Sequence, residues 1–231
     1  MTTNQIETKN MNFKSCFDII GPIMIGPSSS HTAGAIGIGF LAHKLFQGKP
    51  TNATVKYYES FAETHKGHGT DYAIASGILG FSTDDVRVPA ALDILKEENI
   101  VIEFIEIPHA SPVGHPNTAC ITLSNEHERI HVTGISIGGG LIEVKEIQIA
   151  GFDIKPQGSL PIILVIYPKD ATLVEGDIDQ ILESSLVKIN AKHVFKAKHS
   201  VLLEYDLDTE LPKQVRKQLG DYCQDYQFIL L

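Results

Sequence analysis

Five consecutive residues, Ser28, Ser29, Ser30, His31 and Thr32, carry hydroxyl or imidazole groups, with Gly26-Pro27 before them and Ala33-Gly34 after. Apolar runs at 17–25 and 35–46 flank the stretch, and the second reads as a helix. Serine is a favoured N-cap, because its hydroxyl meets one of the backbone N–H groups that a helix start leaves without a partner. Unpaired N–H donors, the positive end of the helix dipole and side-chain hydroxyls then converge. The chemistry this suggests is the binding of a carboxylate or a phosphate. The plainer alternative is that one serine caps the helix and the others belong to a loop.

A second histidine lies between glycines in Lys66-Gly67-His68-Gly69-Thr70-Asp71, which reads as a loop between a strand and a helix. An accessible imidazole titrates near neutral pH and suits general acid or base work, though a surface loop histidine has the same signature. His115-Pro116-Asn117-Thr118 presents a histidine and an amide beside a proline. His109 and His115, six apart in a proline-containing loop, do not have a metal-ligand spacing. Gly138-Gly139-Gly140 ends a strand, either as an anion nest or as a turn.

Two other chemistries are weighed against these. Gly37, Gly39 and Ala42 match a dinucleotide fingerprint, with Glu59 about 20 residues on, but the glycines fall inside a helix and not in the turn leaving a strand. A serine hydrolase would need a paired nucleophile and base. Ser30 and His31 are neighbours expected to diverge on a helix, Ser29 with His68 stays geometrically open, and no nucleophile elbow is expected.

The elements expected to position these groups are helices at 28–46, 71–79 and 89–98 and strands at 53–60, 101–107, 118–124, 129–135 and 141–150. A strand or short buried segment is expected at 17–20. Gly34, Gly37 and Gly39 inside the first helix suggest close packing against another backbone. This makes 1–154 a mixed α and β domain. Residues 155–159 read as a linker. The pattern then restarts as strand 160–167, helix 173–187, strands 191–196 and 200–207, helix 211–222 and strand 227–231. That order, β-α-β-β-α-β, is the ferredoxin-like split βαβ arrangement, so 155–231 is read as a second domain and the fold class as α+β.

The bulk properties exclude several classes. A net charge of −9 over 231 residues argues against a duplex nucleic-acid partner. No run approaches the roughly 18 apolar residues of a membrane span, and residues 1–12 lack the basic-then-apolar order of a secretion signal, so a cytoplasmic location is expected. Cys16, Cys120 and Cys223 are scattered, which fits a reducing compartment and does not supply the clustered thiolates of an iron–sulfur site.

Taken in order, G-P-S-S-S-H-T-A-G, K-G-H-G-T-D, H-P-N-T and S-I-G-G-G, followed by a split βαβ module, resemble the β chain of the iron–sulfur-dependent L-serine dehydratases from about residue 17 to the end. The resemblance implies an ammonia-lyase that converts L-serine to pyruvate and ammonia together with an α chain, whose cysteines hold a 4Fe–4S cluster. It implies His68 as the general base. Ser28, Ser29, Ser30 and Thr32, with His31 alongside, are implied as the carboxylate grip, and Asp71 and Asn117 as orienting residues. No metal ligand is implied on this chain. The N-terminal domain is also similar to an anion-binding regulatory domain of some phosphoglycerate dehydrogenases. The rival expectation is therefore a non-catalytic regulatory protein that binds an anion or amino acid. The second domain resembles an ACT-type module. Its turn Pro168-Lys169-Asp170-Ala171-Thr172 lacks the Asp-x-Pro-Gly-like sequence of effector-binding examples, so the resemblance implies homodimerisation through this module more than effector binding.

Overall fold

The computed structural model describes residues 23–157, 160–171 and 175–231. The strand expected at 17–20 and Cys16 lie outside them. A π-helical turn, Ser29–Ala33, runs directly into α1 (Gly34–Phe46). Then follow β1 (Asn52–Tyr58), α2 (Glu59–His68), α3 (Thr70–Ile78), a short 3-10 turn (Val88–Ala90), α4 (Ala91–Glu97) and β2 (Val101–Ile107). Four antiparallel strands complete the first half: β3 (Thr118–Ser124), β4 (Arg129–Gly138), β5 (Leu141–Ile149) and β6 (Phe152–Ile154). The second half is β7 (Ile162–Pro168), α5 (Glu175–Ser184), β8 (Ile189–Lys196), β9 (Ser200–Leu207), α6 (Lys213–Tyr222) and β10 (Gln227–Leu230).

The first six strands form one sheet in the order β2-β1-β3-β4-β5-β6. Only β1 and β2 are parallel, and α2, α3 and α4 make the crossover between them. In β1 the alternation buries Ala53, Val55 and Tyr57, so the period of two puts one face under the helices. Helix α1 buries Ile36, Ile38, Leu41, Leu45 and Phe46. It crosses α3 where Gly39 meets Gly77: a methyl group on either glycine would strike the backbone of the other helix. The close packing expected of Gly39 is therefore present, at a partner the sequence does not reveal. Gly34 has its own neighbour, the Ser136 side chain.

The second sheet is ordered β10-β7-β9-β8, antiparallel throughout. Strand β7 is buried on both faces. Ile163 and Val165 join the apolar cluster under α5 and α6 with Leu182, Leu203 and Leu219. Ile162, Leu164 and Ile166, with Leu202, Ile229 and Leu231, belong to the same apolar cluster as α1 and the first sheet. One core thus continues across the proposed 154/155 boundary. Gln47, just beyond α1, also donates to the carbonyl of Phe228 at 2.6 Å.

Three local expectations are corrected. Glu59–His68 is helical, so the expected strand ends at Tyr58 and the expected loop at 66–71 is a helix end, a glycine and a helix start; only Phe61 and Ala62 are apolar among the ten residues of α2, too few to print a helical period. Strand β4 continues to Gly138, and Gly139-Gly140 form a two-residue turn with φ of 63° and 83°, the positive pair that a tight hairpin requires. Strand β6, only three residues long, was not expected at all. Among the described residues no helix is long and apolar enough to cross a membrane.

Candidate active site

Ser28 is the capping serine. Its backbone is extended (φ −144°, ψ 129°) and its hydroxyl accepts from the His31 N–H at 3.1 Å. The Ser28 carbonyl begins the helical ladder by accepting from Thr32 N–H at 2.8 Å and Ala33 N–H at 3.3 Å. The N–H groups of Ser29 and Ser30 precede that ladder and project from the positive end of the helix. Ser29 is exposed, Ser30 half-buried and Thr32 fully buried. Thr32 Oγ1 donates to the His68 carbonyl at 3.2 Å, which joins the serine stretch to the second histidine.

His68 is the last residue of α2. Gly69 follows in the left-handed region (φ 71°) and donates its N–H to the His65 carbonyl, ending the helix, and α3 begins at Thr70. A side chain at position 69 would collide with the Tyr72 ring as well as strain the backbone. The corner therefore leaves His68 exposed at a helix end. Gly67, by contrast, meets nothing within 4 Å, so its lack of a side chain relieves no close approach within this chain.

The two histidine rings meet edge to face, with centroids 4.9 Å apart. The His31 ring also lies 5.2 Å from the Phe61 ring. Ser30 Oγ is 3.0 Å from His31 Nδ1 and Ser60 Oγ is 3.2 Å from His31 Nε2. The divergence expected of Ser30 and His31 is thus wrong: the π-helical turn lets the ring fold back on the preceding hydroxyl. Burial lowers the pKa of His31 below the ordinary histidine value, and the charge of His68 lowers it further.

The other expected residues are placed as follows. Asn117 donates its side-chain amide to the Ser136 carbonyl at 3.3 Å, and the Ser136 N–H donates to the Asn117 carbonyl at 3.0 Å. Because Ser136 packs on Gly34, Asn117 lies at the same end of the sheet as the start of α1. Gly134-Ile135-Ser136-Ile137-Gly138 does have the residue pattern of a nucleophile elbow, contrary to expectation. It lies within β4, however, and the Ser136 hydroxyl is fully buried, so it is not an exposed nucleophile. Asp71 turns to His65 at 2.6 Å and not toward His31. Ile137 and Leu141, both about two-fifths exposed, flank the turn of the β4–β5 hairpin. Clefts of about 320 and 480 Å³ lie elsewhere, lined by Arg129, His131 and Asp153 and by Leu92, Lys96 and Ile100 respectively.

A family model described as serine dehydratase beta chain matches residues 15–147. The chain belongs to the serine dehydratase β-chain family. It is 43% identical over 91% of its length to the "Probable L-serine dehydratase, beta chain" of Bacillus subtilis, covering 94% of that protein. It is 33% identical to the "L-serine dehydratase, beta chain" of Peptoniphilus asaccharolyticus, with 89% and 92% covered. A third relative, the "L-serine dehydratase TdcG" of Escherichia coli, is 32% identical over 57% of this chain, which corresponds to 34% of that protein.

Two residues of this histidine cluster carry no clear signal in the sequence. Ser60 sits just beyond an ordinary strand and touches His31 only because α2 turns it inward. His65 is 3% exposed and bonded at both ring nitrogens. The three-residue spacing from His68 is the one signal that could have drawn attention to it. Among the described residues no three His, Cys, Asp or Glu side chains converge as a metal-binding group. Cys120 is buried on β3 and Cys223 at the end of α6 in a different apolar cluster, so the described thiols do not fit an iron–sulfur cluster as ligands.

Proposed function

We propose that the chain is the β subunit of a two-chain L-serine dehydratase, deaminating L-serine to pyruvate and ammonia in the cytoplasm with an α chain that carries a 4Fe–4S cluster. The observation that carries the reading is the meeting of His31 and His68, 4.9 Å apart, at a Ser28-capped helix start in a chain of this family. The cluster would be held by cysteines of the α chain, where its chemistry would be that of a Lewis acid.

The residues of this chain take the remaining tasks. The hydroxyls of Ser28, Ser29 and Ser30 and the leading N–H groups of the helix receive the substrate carboxylate. Thr32, held on the His68 carbonyl, keeps the grip and the base in register. His68 takes the proton from the α carbon. The electron pair of that C–H bond becomes the new C=C bond as the C3–O bond breaks. The aminoacrylate released tautomerises to the imine, and water hydrolyses it to pyruvate and ammonia. His31 stays neutral beside the imidazolium so formed, which avoids a second positive charge across a short gap. Asn117 orients the substrate from the sheet end, while Asp71 acts on the site indirectly, through His65. The exposed Ile137 and Leu141 lie where the α chain closes the cleft. The second half, with its β-α-β-β-α-β order, serves as an ACT-type pairing module on a domain boundary near 154/155.

The test is reconstitution. Mixed anaerobically with the α chain, the wild type should deaminate L-serine, and His68→Ala should lose about 10²- to 10⁴-fold in turnover with the cluster intact. Near wild-type turnover by His68→Ala sinks the assignment of the base. Tight serine binding by this chain alone, without any turnover on mixing, favours the regulatory reading. In the isolated chain, histidine NMR should place the His31 midpoint below that of an ordinary histidine, and His68→Ala should move it upward, because one of its two causes is removed.

A further inference from the structure

His65 enters the reading above only as the partner of Asp71, yet it is the one buried histidine among the described residues. Its ring is 3% exposed. Nδ1 is 2.6 Å from Asp71 Oδ1, in the first turn of α3, and Nε2 is 2.9 Å from Glu106 Oε1, near the end of β2. Both partners are carboxylates, which accept when ionised, so the arrangement is satisfied when both ring nitrogens carry hydrogen. Lys66 Nζ, 3.0 Å from the same Glu106 oxygen, continues the chain of alternating charge. Glu106 is held below the ordinary carboxylate range, first by its hydrogen bond from His65 and then by Lys66. Beneath the ring, Tyr57 lies 4.9 Å away, and Tyr57 itself stacks on Phe104 at 5.8 Å. An aromatic floor thus fixes the plane in which His65 bridges its two carboxylates.

The bridge spans the corner that carries His68. The backbone of His65 accepts the capping N–H of Gly69, and its side chain ties the next helix and the parallel strand together. The only other described bond of the corner toward the serine stretch is Thr32 Oγ1 to the His68 carbonyl. The aromatic neighbour of the His68 ring is the His31 ring. Where its ring points therefore follows from how the corner is held.

We propose that His65 is a positioning residue for the proton-transfer step: clamped between Asp71 and Glu106, it fixes the α2–α3 corner and so sets His68 against His31. This rests on the reading of His68 as the base. A displacement of about 1 Å at a reacting group can cost on the order of 100-fold in rate. His65→Gln in the enzyme reconstituted with its α chain should lose about tenfold to 100-fold in kcat for L-serine, with KM changed only a few-fold. The isotope effect with L-serine deuterated at the α carbon should increase, because proton removal becomes slower relative to the other steps. Glu106→Gln, at a half-exposed carboxylate that the fold does not need for its core, should move kcat and the isotope effect the same way by a smaller factor. In the isolated chain, the nuclear Overhauser contact between the His31 and His68 rings should weaken in both variants, well below their melting temperatures.

A residue that only stabilised the fold would lower the melting temperature and leave the isotope effect and the ring contact alone. That outcome overturns the proposal, as does wild-type kcat in folded Glu106→Gln together with an unchanged ring contact. His68→Ala, run beside them, separates the two levels. If it retains turnover, the base assignment fails and the catalytic part of this proposal with it, while the ring contact still decides whether His65 holds the corner. If it is inactive and both His65→Gln and Glu106→Gln are wild-type in kcat, only the proposal about His65 fails.

Discussion

Around His65 and around Glu204 the chain places ionisable groups inside, and the surroundings differ in kind. His65 has an acidic acceptor at each ring nitrogen, and one of those acceptors, Glu106, reaches water. Glu204, 2% exposed on β9, has an Oε1 with no hydrogen-bond partner among the described residues. In register it faces Leu164 on one side and His193 on the other. Burial pushes the Glu204 carboxyl up to about 7, Asp206 on the same face pushes in the same direction, and His193 opposes them. The first arrangement joins three elements through one ring bonded to a carboxylate at each nitrogen. The second places a carboxylate on a sheet face whose other residues, Leu164 and Leu202, belong to the core shared with the first sheet. Complementary pairing makes a charged cluster a structural bridge, whereas an unpaired carboxylate in a core is a cost that the surrounding apolar packing must offset.

Three variants sharpen this contrast. The largest effect is expected from His65→Leu, which leaves Asp71 without its donor while keeping apolar bulk over Tyr57. It should lower unfolding free energy in urea by about 3 kcal/mol, and a change near zero would show that the bridge contributes no net stability. Next, Glu204→Gln should raise stability at pH 8, by about 1–3 kcal/mol. The sign follows from the raised pKa. Between the ordinary 4.5 and about 7 the unfolded chain has released a proton that the native chain still holds, so wild-type stability falls as pH rises through that window and is level above it. The glutamine variant should lose that slope, and an unchanged slope would place the titration elsewhere. The smallest effect belongs to Lys66→Ala. Lys66 is 79% exposed and its pair with Glu106 lies in water, so the urea midpoint should stay where it is. A clear shift would extend the bridge to the surface.

The same contrast explains what could be read from the chain without coordinates. The elements around the site come from local rules. Strands such as Val101–Ile107 and Thr118–Ser124 alternate or run apolar, and their bounds match the expectation. Helix α2 did not announce itself, because its apolar contribution is nearly confined to Phe61 and Ala62 and its stability comes from packing under Tyr57. His31 and His68 stood out because serines and glycines surround them. His65 did not, because its partners are 6 and 41 positions away and nothing in its immediate neighbours marks it. Ser60 was missed for the same reason, 29 positions from the ring it touches.

By itself the sequence determined the cap at the serine stretch, the strands and helices other than α2 and β6, and the split βαβ pattern of the second half. These follow from hydrogen-bonding side chains and from periods of 2.0 and 3.6 residues, which act over a few positions. Tertiary structure alone decided that Ser28 is the residue that caps and that His31 lies edge-on to His68. It also decided that Asp71 faces His65 and that one core runs from α1 into the second sheet. The meeting of His31 with His68 depends on where the α2–α3 corner comes to rest, and that position is set by contacts such as His65 with Glu106, between residues far apart in the chain, which no local pattern encodes.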